Sequence, residues 1–164
     1  MEKTNTQKMV MGAMLAALCC VATMVIKIPS PLNGYINLGD CIVLLCGWLL
    51  SPHYAFLAAG VGSALADVFS GYVVYAPATF LIKATMALIV CYSYRNLKAR
   101  FGDMPTKILG AVAAELLMIL GYYIFEGFLY GFIPSLVNIP ANAVQGVAGI
   151  IIALLLSKML KVGK

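Results

Sequence analysis

The chain has 164 residues, 63% of them hydrophobic and 10% charged, with a formal net charge of +5 and a mean hydropathy of +0.98. A soluble domain carries roughly 45–50% apolar and about 25% charged residues, so this composition excludes a water-solvated globule and leaves lipid as the solvent. The basic residues sit in short flanks between apolar runs, which is a topology pattern and not a phosphate-binding face, and it excludes nucleic acid as a partner.

A membrane helix needs about 20 apolar residues. The first predicted span is Lys8 to Ile28, closed by Pro29-Ser30-Pro31 and the loop Leu32 to Tyr35. Lys3 and Lys8 precede it as in a signal peptide, but Met9 to Ile26 is of full span length with no small-x-small cleavage site after it, so a retained helix is expected. The second span runs from Ile36 to Leu50, and Ser51-Pro52 makes a tight turn because proline cannot continue the ladder. The third runs from His53 to Ser70, and His53 is expected to be solvated. The fourth enters at Pro77 and ends near Tyr94. A polar loop from Arg95 to Pro105 follows, and the fifth span covers Thr106 to Phe128. The connection Tyr130 to Pro140 leads to the sixth, which ends near Leu160. The expectation is an all-α integral membrane protein, one domain over residues 1–164 with six transmembrane helices.

Charge orients it. Of eleven Lys and Arg, all but Lys27 and Lys83 fall on one side of this topology. An excess of these residues marks the cytoplasmic face, so both termini and the 95–107 loop are expected inside the cell, and the loops 29–37, 70–77 and 129–139 outside. Lys27 is expected to snorkel to water. Cys19, Cys20, Cys41, Cys46 and Cys91 lie in or beside apolar runs, with no CxxC pair and no metal spacing, so buried thiols and no metal or cofactor are expected.

Polar residues inside a membrane are costly unless they face a partner or a cavity. Here they fall in the outward halves of the helices: Asn37 and Asp40, then Ser63 and Asp67, then Thr79 and Lys83, each of the last two pairs four residues apart and so on one face. Glu115, Tyr122 and Glu126 form one stripe, with Glu115 near mid-membrane, and Asn138, Asn142 and Gln145 form another. Tyr72, Tyr75, Tyr122, Tyr123 and Tyr130 add aromatic surface at the same level. The pattern predicts a pocket open to the outside and closed below, in which rings stack flat ligands. Plainer roles stay open for single residues. Tyrosines also populate interfacial belts, Asn142 and Gln145 can join helices by hydrogen bonds, Asp67 can pair with Lys83, and Asp40 can cap the second helix. In the first helix, Gly12 with Ala16 and Ala13 with Ala17 are two small-xxx-small registers that allow a close helix approach, within the chain or to a partner.

Taken in order, Tyr35-Ile36-Asn37-Leu38-Gly39-Asp40, Ala66 to Tyr72, Ala76 to Lys83 and Ile139 to Gly146 resemble the substrate-binding S components of energy-coupling factor (ECF) vitamin transporters. The branch most resembled is the one for riboflavin-like, hydroxymethylpyrimidine and pyridoxine vitamins. The resemblance implies a non-enzymatic subunit in the prokaryotic cytoplasmic membrane. Such a subunit binds a small-molecule vitamin from outside and topples on a transmembrane T component energised by two cytoplasmic ATPases. It implies a pocket drawn from Asn37, Asp67, Tyr72, Tyr75, Lys83, Tyr122, Glu126, Asn142 and Gln145, and a lid made of Pro29–Asn37 with the 70–77 loop. It implies T-component contact through Ala13 and Ala17 or through Gly12 and Ala16. The chain has no GxxxxGK[ST] phosphate loop, so ATP hydrolysis belongs to another subunit. A stand-alone proton-coupled transporter using Glu115 is the competing expectation.

Overall fold

A computed structural model describes residues 4–29 and 35–160. It is helical apart from one short two-stranded ladder. Helix α1 spans Asn5–Val25. It opens with a capping box: Thr4 Oγ1 accepts from the Gln7 N–H at 3.3 Å, and Gln7 Oε1 accepts from the Thr4 N–H at 3.0 Å. The helix ends three residues before the predicted limit, because Lys27–Pro29 (β1) pairs antiparallel with Tyr35–Asn37 (β2), Lys27 opposite Asn37. The central part of the predicted lid, residues 30–34, lies outside the described residues.

Helix α2, Gly39–Leu49, is shorter than the predicted second span. Eleven residues rise only about 16 Å, half of a bilayer core. Nearly every side chain on it is buried, Val43, Leu44 and Cys46 completely. It is the core helix of the fold and packs on α1, α3, α4 and α7. Helix α3, Pro52–Phe69, begins with proline in its first turn, where no N–H is needed. His53 is exposed there, as expected.

Helices α4, Ala76–Phe101, and α5, Asp103–Tyr130, correct the sequence reading. The expected polar loop from Arg95 to Pro105 is almost entirely helix, and the break is one residue, Gly102, at φ +82°. The stretch 95–101 is not a breaking sequence: Arg95, Leu97, Lys98, Ala99 and Arg100 are good helix formers despite their polarity. Only glycine takes this φ without strain. Beside the break, Asp103 accepts from Tyr94 O–H at 2.5 Å and from Lys107 Nζ at 2.9 Å. A short helix α6, Phe132–Ser135, and a 3-10 turn, Leu136–Asn138, lead into α7, Ile139–Met159.

Among the described residues, four segments are long and apolar enough to cross a membrane: α1, α4, α5 and the run Phe132–Met159. Their outward faces carry Met14, Leu81, Leu116, Leu120, Val144, Val147 and Ile151, all exposed, as lipid-facing surfaces require. All five cysteines are buried and free.

Candidate functional site

At the end of the bundle that carries the β ladder, five elements converge on one polar cavity. Tyr35 and Asn37 come from β2, Asp67 and Tyr72 from the end of α3 and the turn after it. Tyr75 and Thr79 come from the start of α4, Tyr122 and Glu126 from α5, and Asn142 and Gln145 from α7. The turn that presents Tyr72 is held by its own backbone: the Tyr72 N–H donates to Asp67 O at 2.8 Å, and the Tyr75 N–H to Tyr72 O at 2.9 Å.

Eight of the nine pocket residues selected from sequence therefore line this cavity, and Lys83 does not. Lys83 is 3% exposed and lies below it, in an ion pair with fully buried Asp40. Its Nζ sits 5.5 Å from the Tyr122 ring centre. Two of the plainer roles left open by the sequence are decided here. Lys83 pairs with Asp40 and not with Asp67, and Asp40 does not cap α2. The first N–H of α2, on Gly39, is taken by Asn37 Oδ1 at 2.8 Å. Lys27 also does more than snorkel, since its Nζ donates to Ser70 Oγ at 2.8 Å and lies 5.8 Å from the Tyr35 ring centre.

The floor is a continuous hydrogen-bond chain. Gln145 Oε1 accepts from the Asn37 N–H at 2.9 Å, and Gln145 Nε2 donates to Asp40 Oδ2 at 2.7 Å. The root of the ladder is thus tied through α7 to the Asp40–Lys83 pair. A paired, fully bonded ion pair is the form in which charges persist in a core. Glu115 lies against the same floor: Gly149 of α7 is so close that an added Cβ would stand 2.9 Å from Asp40 Cβ and 3.5 Å from Glu115 Oε1. Neither carboxyl oxygen of Glu115 has a hydrogen-bond partner among the described residues.

The walls are aromatic. Tyr35 and Tyr72 rings lie 4.8 Å apart, and Tyr72 meets Tyr75 edge-on at 6.4 Å. Tyr35 O–H donates to Asp67 Oδ1 at 2.6 Å, and Thr79 and Tyr122 hydroxyls bond at 3.1 Å. Glu126 Oε1 accepts from Asn138 Nδ2 at 2.8 Å and from Tyr75 O–H at 3.5 Å. In this state the space open to water is about 30 Å³. Pockets that enclose small ligands run from roughly 300 Å³ upward, so in this state the cavity is too small to hold a ring.

Sequence reasoning misses Tyr35 as a site residue because it reads residues 29–37 as loop. A strand reading finds it: alternate strand residues share a face, so Tyr35 follows from Asn37. Thr79 is visible on the Lys83 stripe, but nothing in the sequence sets it apart as a pocket residue.

The four small residues of α1 divide. Gly12 is buried against Tyr54 of α3, and Ala16 backs onto Gly62 of the same helix, so this register serves packing within the chain. Ala13 and Ala17 are exposed on the other side. Ala17 joins Met11, Met14, Leu15, Leu18, Val21 and Leu49 along an apolar surface groove.

These features define a multi-pass helical membrane protein with a polar, aromatic-walled cavity at one end of the bundle. Residues 3–162 match the family described as ECF-type riboflavin transporter, S component, and the chain belongs to that family. A protein of Pyrococcus woesei, described as an uncharacterized protein in the gap 3' region, is 38% identical over 133 residues, covering 80% of this chain and 86% of that one. The solved S component of a bacterial ECF transporter is similar over 96% of this chain and 97% of its own, with a TM-score of 0.77 and 27% identity. The family is one of transporter subunits, not of enzymes.

Proposed function

We propose that this chain captures a small heteroaromatic vitamin of the pyridoxine, hydroxymethylpyrimidine or riboflavin type from outside the cell. It then delivers the vitamin by toppling on a T component driven by two cytoplasmic ATPases. The observation that carries this reading is the cavity itself, where four tyrosines and six other hydrogen-bonding side chains meet at one end of an apolar bundle. In this reading α2 and α3 are the two short spans among six, and both termini face the cytoplasm of a prokaryotic cell. Support comes from Lys8, Lys98, Arg100, Lys107 and Lys158, which lie toward the bundle end away from the cavity. The β ladder and the 70–77 turn then form the lid.

Native mass spectrometry of the detergent-purified chain tests this first. A released pyridoxine-, pyrimidine- or flavin-type compound is the expected result. An empty protein that shows no thermal shift with a panel of such vitamins would overturn it. Glu126→Gln and Asn142→Ala should each weaken binding by about tenfold or more, the worth of one hydrogen bond to a charged or desolvated group, without changing the melting behaviour. Unchanged affinity in both removes them from the pocket.

Ala13→Trp and Ala17→Trp should leave vitamin binding intact and abolish co-purification with the T component, because the indole fills the exposed small-residue register. Retention of the complex would move the docking face elsewhere. A second reading, a proton-coupled carrier, draws on Glu115, 4% exposed with both oxygens unpartnered among the described residues. Uptake that collapses with an uncoupler yet survives loss of the ATPases would select it.

A further inference from the structure

Among the described residues, those lining the cavity include two acids, Asp67 and Glu126, and no Lys, Arg or His. Both acids are more than nine-tenths buried, at 5% and 3% exposure. Each uses only one carboxyl oxygen inside the protein. Asp67 Oδ1 takes the Tyr35 hydroxyl, and Glu126 Oε1 takes Asn138 and the Tyr75 hydroxyl. The second oxygens, Asp67 Oδ2 and Glu126 Oε2, are buried with no hydrogen-bond partner among the described residues. A buried acceptor left in this condition is unfavourable until something donates to it.

The nearby cations are already engaged. Lys83 is held by Asp40 beneath the cavity, and Lys27 at its rim donates to Ser70. Asp67 stands on α3 and Glu126 on α5, both helices packed against α4, so the two acids belong to different walls of the cavity. Tyr35, Tyr72, Tyr75 and Tyr122 line the same cavity. Aromatic faces attract a cation through the negative ring quadrupole, most strongly where water is excluded. A phosphate or carboxylate in this cage would meet two carboxylates and, among the described lining residues, no positive group.

We infer that the ligand of this site is a heteroaromatic ring of net positive charge, carried in the ring or on an ammonium arm, with hydrogen-bond donors at two ends and no phosphate or carboxylate. The inference rests on the heteroaromatic-capture reading and narrows it by charge. A neutral flavin would leave both carboxylates without a counter-charge.

The test is isothermal titration of the whole chain in detergent micelles with four probes: thiamine, a ring cation; pyridoxamine, an ammonium; pyridoxine, the neutral hydroxymethyl counterpart of pyridoxamine; and riboflavin. The expected result is that thiamine or pyridoxamine binds roughly tenfold or more tightly than either neutral ring, the scale of a desolvated cation–π contact joined to a charge pair. Pyridoxamine 5'-phosphate should lose that advantage. Asp67→Asn and Glu126→Gln, nearly equal in shape to the native acids, should narrow the gap between pyridoxamine and pyridoxine. Pyridoxine or riboflavin binding as tightly as the cations would overturn the charge assignment and leave the capture reading standing. Binding of none of the four, nor of hydroxymethylpyrimidine titrated alongside them, would overturn the capture reading, and the charge assignment with it. The ranking is measured on the native chain, so it holds even where a variant fails to fold.

Discussion

Lys83→Met should destabilise the protein by about 3–5 kcal/mol, the cost of removing one partner of a buried ion pair. Asp40 would remain fully buried with its Oδ1 unpaired, held only by Gln145 Nε2 at 2.7 Å. Methionine fills most of the space of the lysine stem, so the loss is electrostatic more than steric. Asp40→Asn in the same chain should recover most of it, because the amide oxygen still accepts from Gln145 and no charge is stranded. Unfolding in one detergent, followed by the fluorescence of Trp48, measures both variants. Equal stability of Lys83→Met and the native chain would show that the pair does not hold the core. The single variant should also weaken vitamin binding, since Asp40, Gln145 and Asn37 form one chain of bonds from the floor to the wall.

Gly62→Ala should be among the most damaging single methyls in the bundle. The added Cβ would run into the Ala16 carbonyl of α1 and stand 2.9 Å from Cys19 Cβ. The obstacle is backbone, which cannot rotate aside, so α1 and α3 must separate. Overpacking of this kind typically costs about 1–3 kcal/mol, occasionally more. Gly12→Ala, one turn before Ala16 on α1, is the control: its Cβ would meet Tyr54 Cδ1 at 3.7 Å, an ordinary contact. The same unfolding measurement should separate the two by at least about 1 kcal/mol. Equal melting would mean that the α1–α3 seam is looser than its geometry. The pair of variants also tests the docking proposed for Ala13 and Ala17, because the seam orients that exposed face.

The features that depend on local sequence were legible in it. Apolar run length, proline at Pro52 and Pro77, and polar residues at helical spacing are properties of neighbours along the chain. They yielded the membrane class, most helix positions, and the polar stripes that meet in the cavity. Asn142 and Gln145 share the inward face of α7 for the reason their three-residue spacing implies. The family resemblance rested on the same ordered set of segments and holds over residues 3–162.

Polarity proved a poor guide to where helices stop. Residues 95–101 are rich in charge, yet their helix propensity carries α4 on to Phe101, where Gly102 turns the chain. Helix α2 is shorter than its apolar run suggests, since apolar residues beyond a helix end read the same as those within it.

Sequence alone thus determined that this protein lives in lipid, which helices carry its polar groups, and that these groups lie at a common depth. Only the tertiary structure decided how they pair. Lys83 chose Asp40, 43 residues away, over Asp67. Tyr35 entered the wall by strand pairing, and Gly12 with Ala16 went to the α3 seam while Ala13 and Ala17 stayed outside. The physical reason is the same in each case. A helical period fixes which residues share a face, whereas the partner of a buried charge or a close-packed glycine depends on which other helix the fold brings against it.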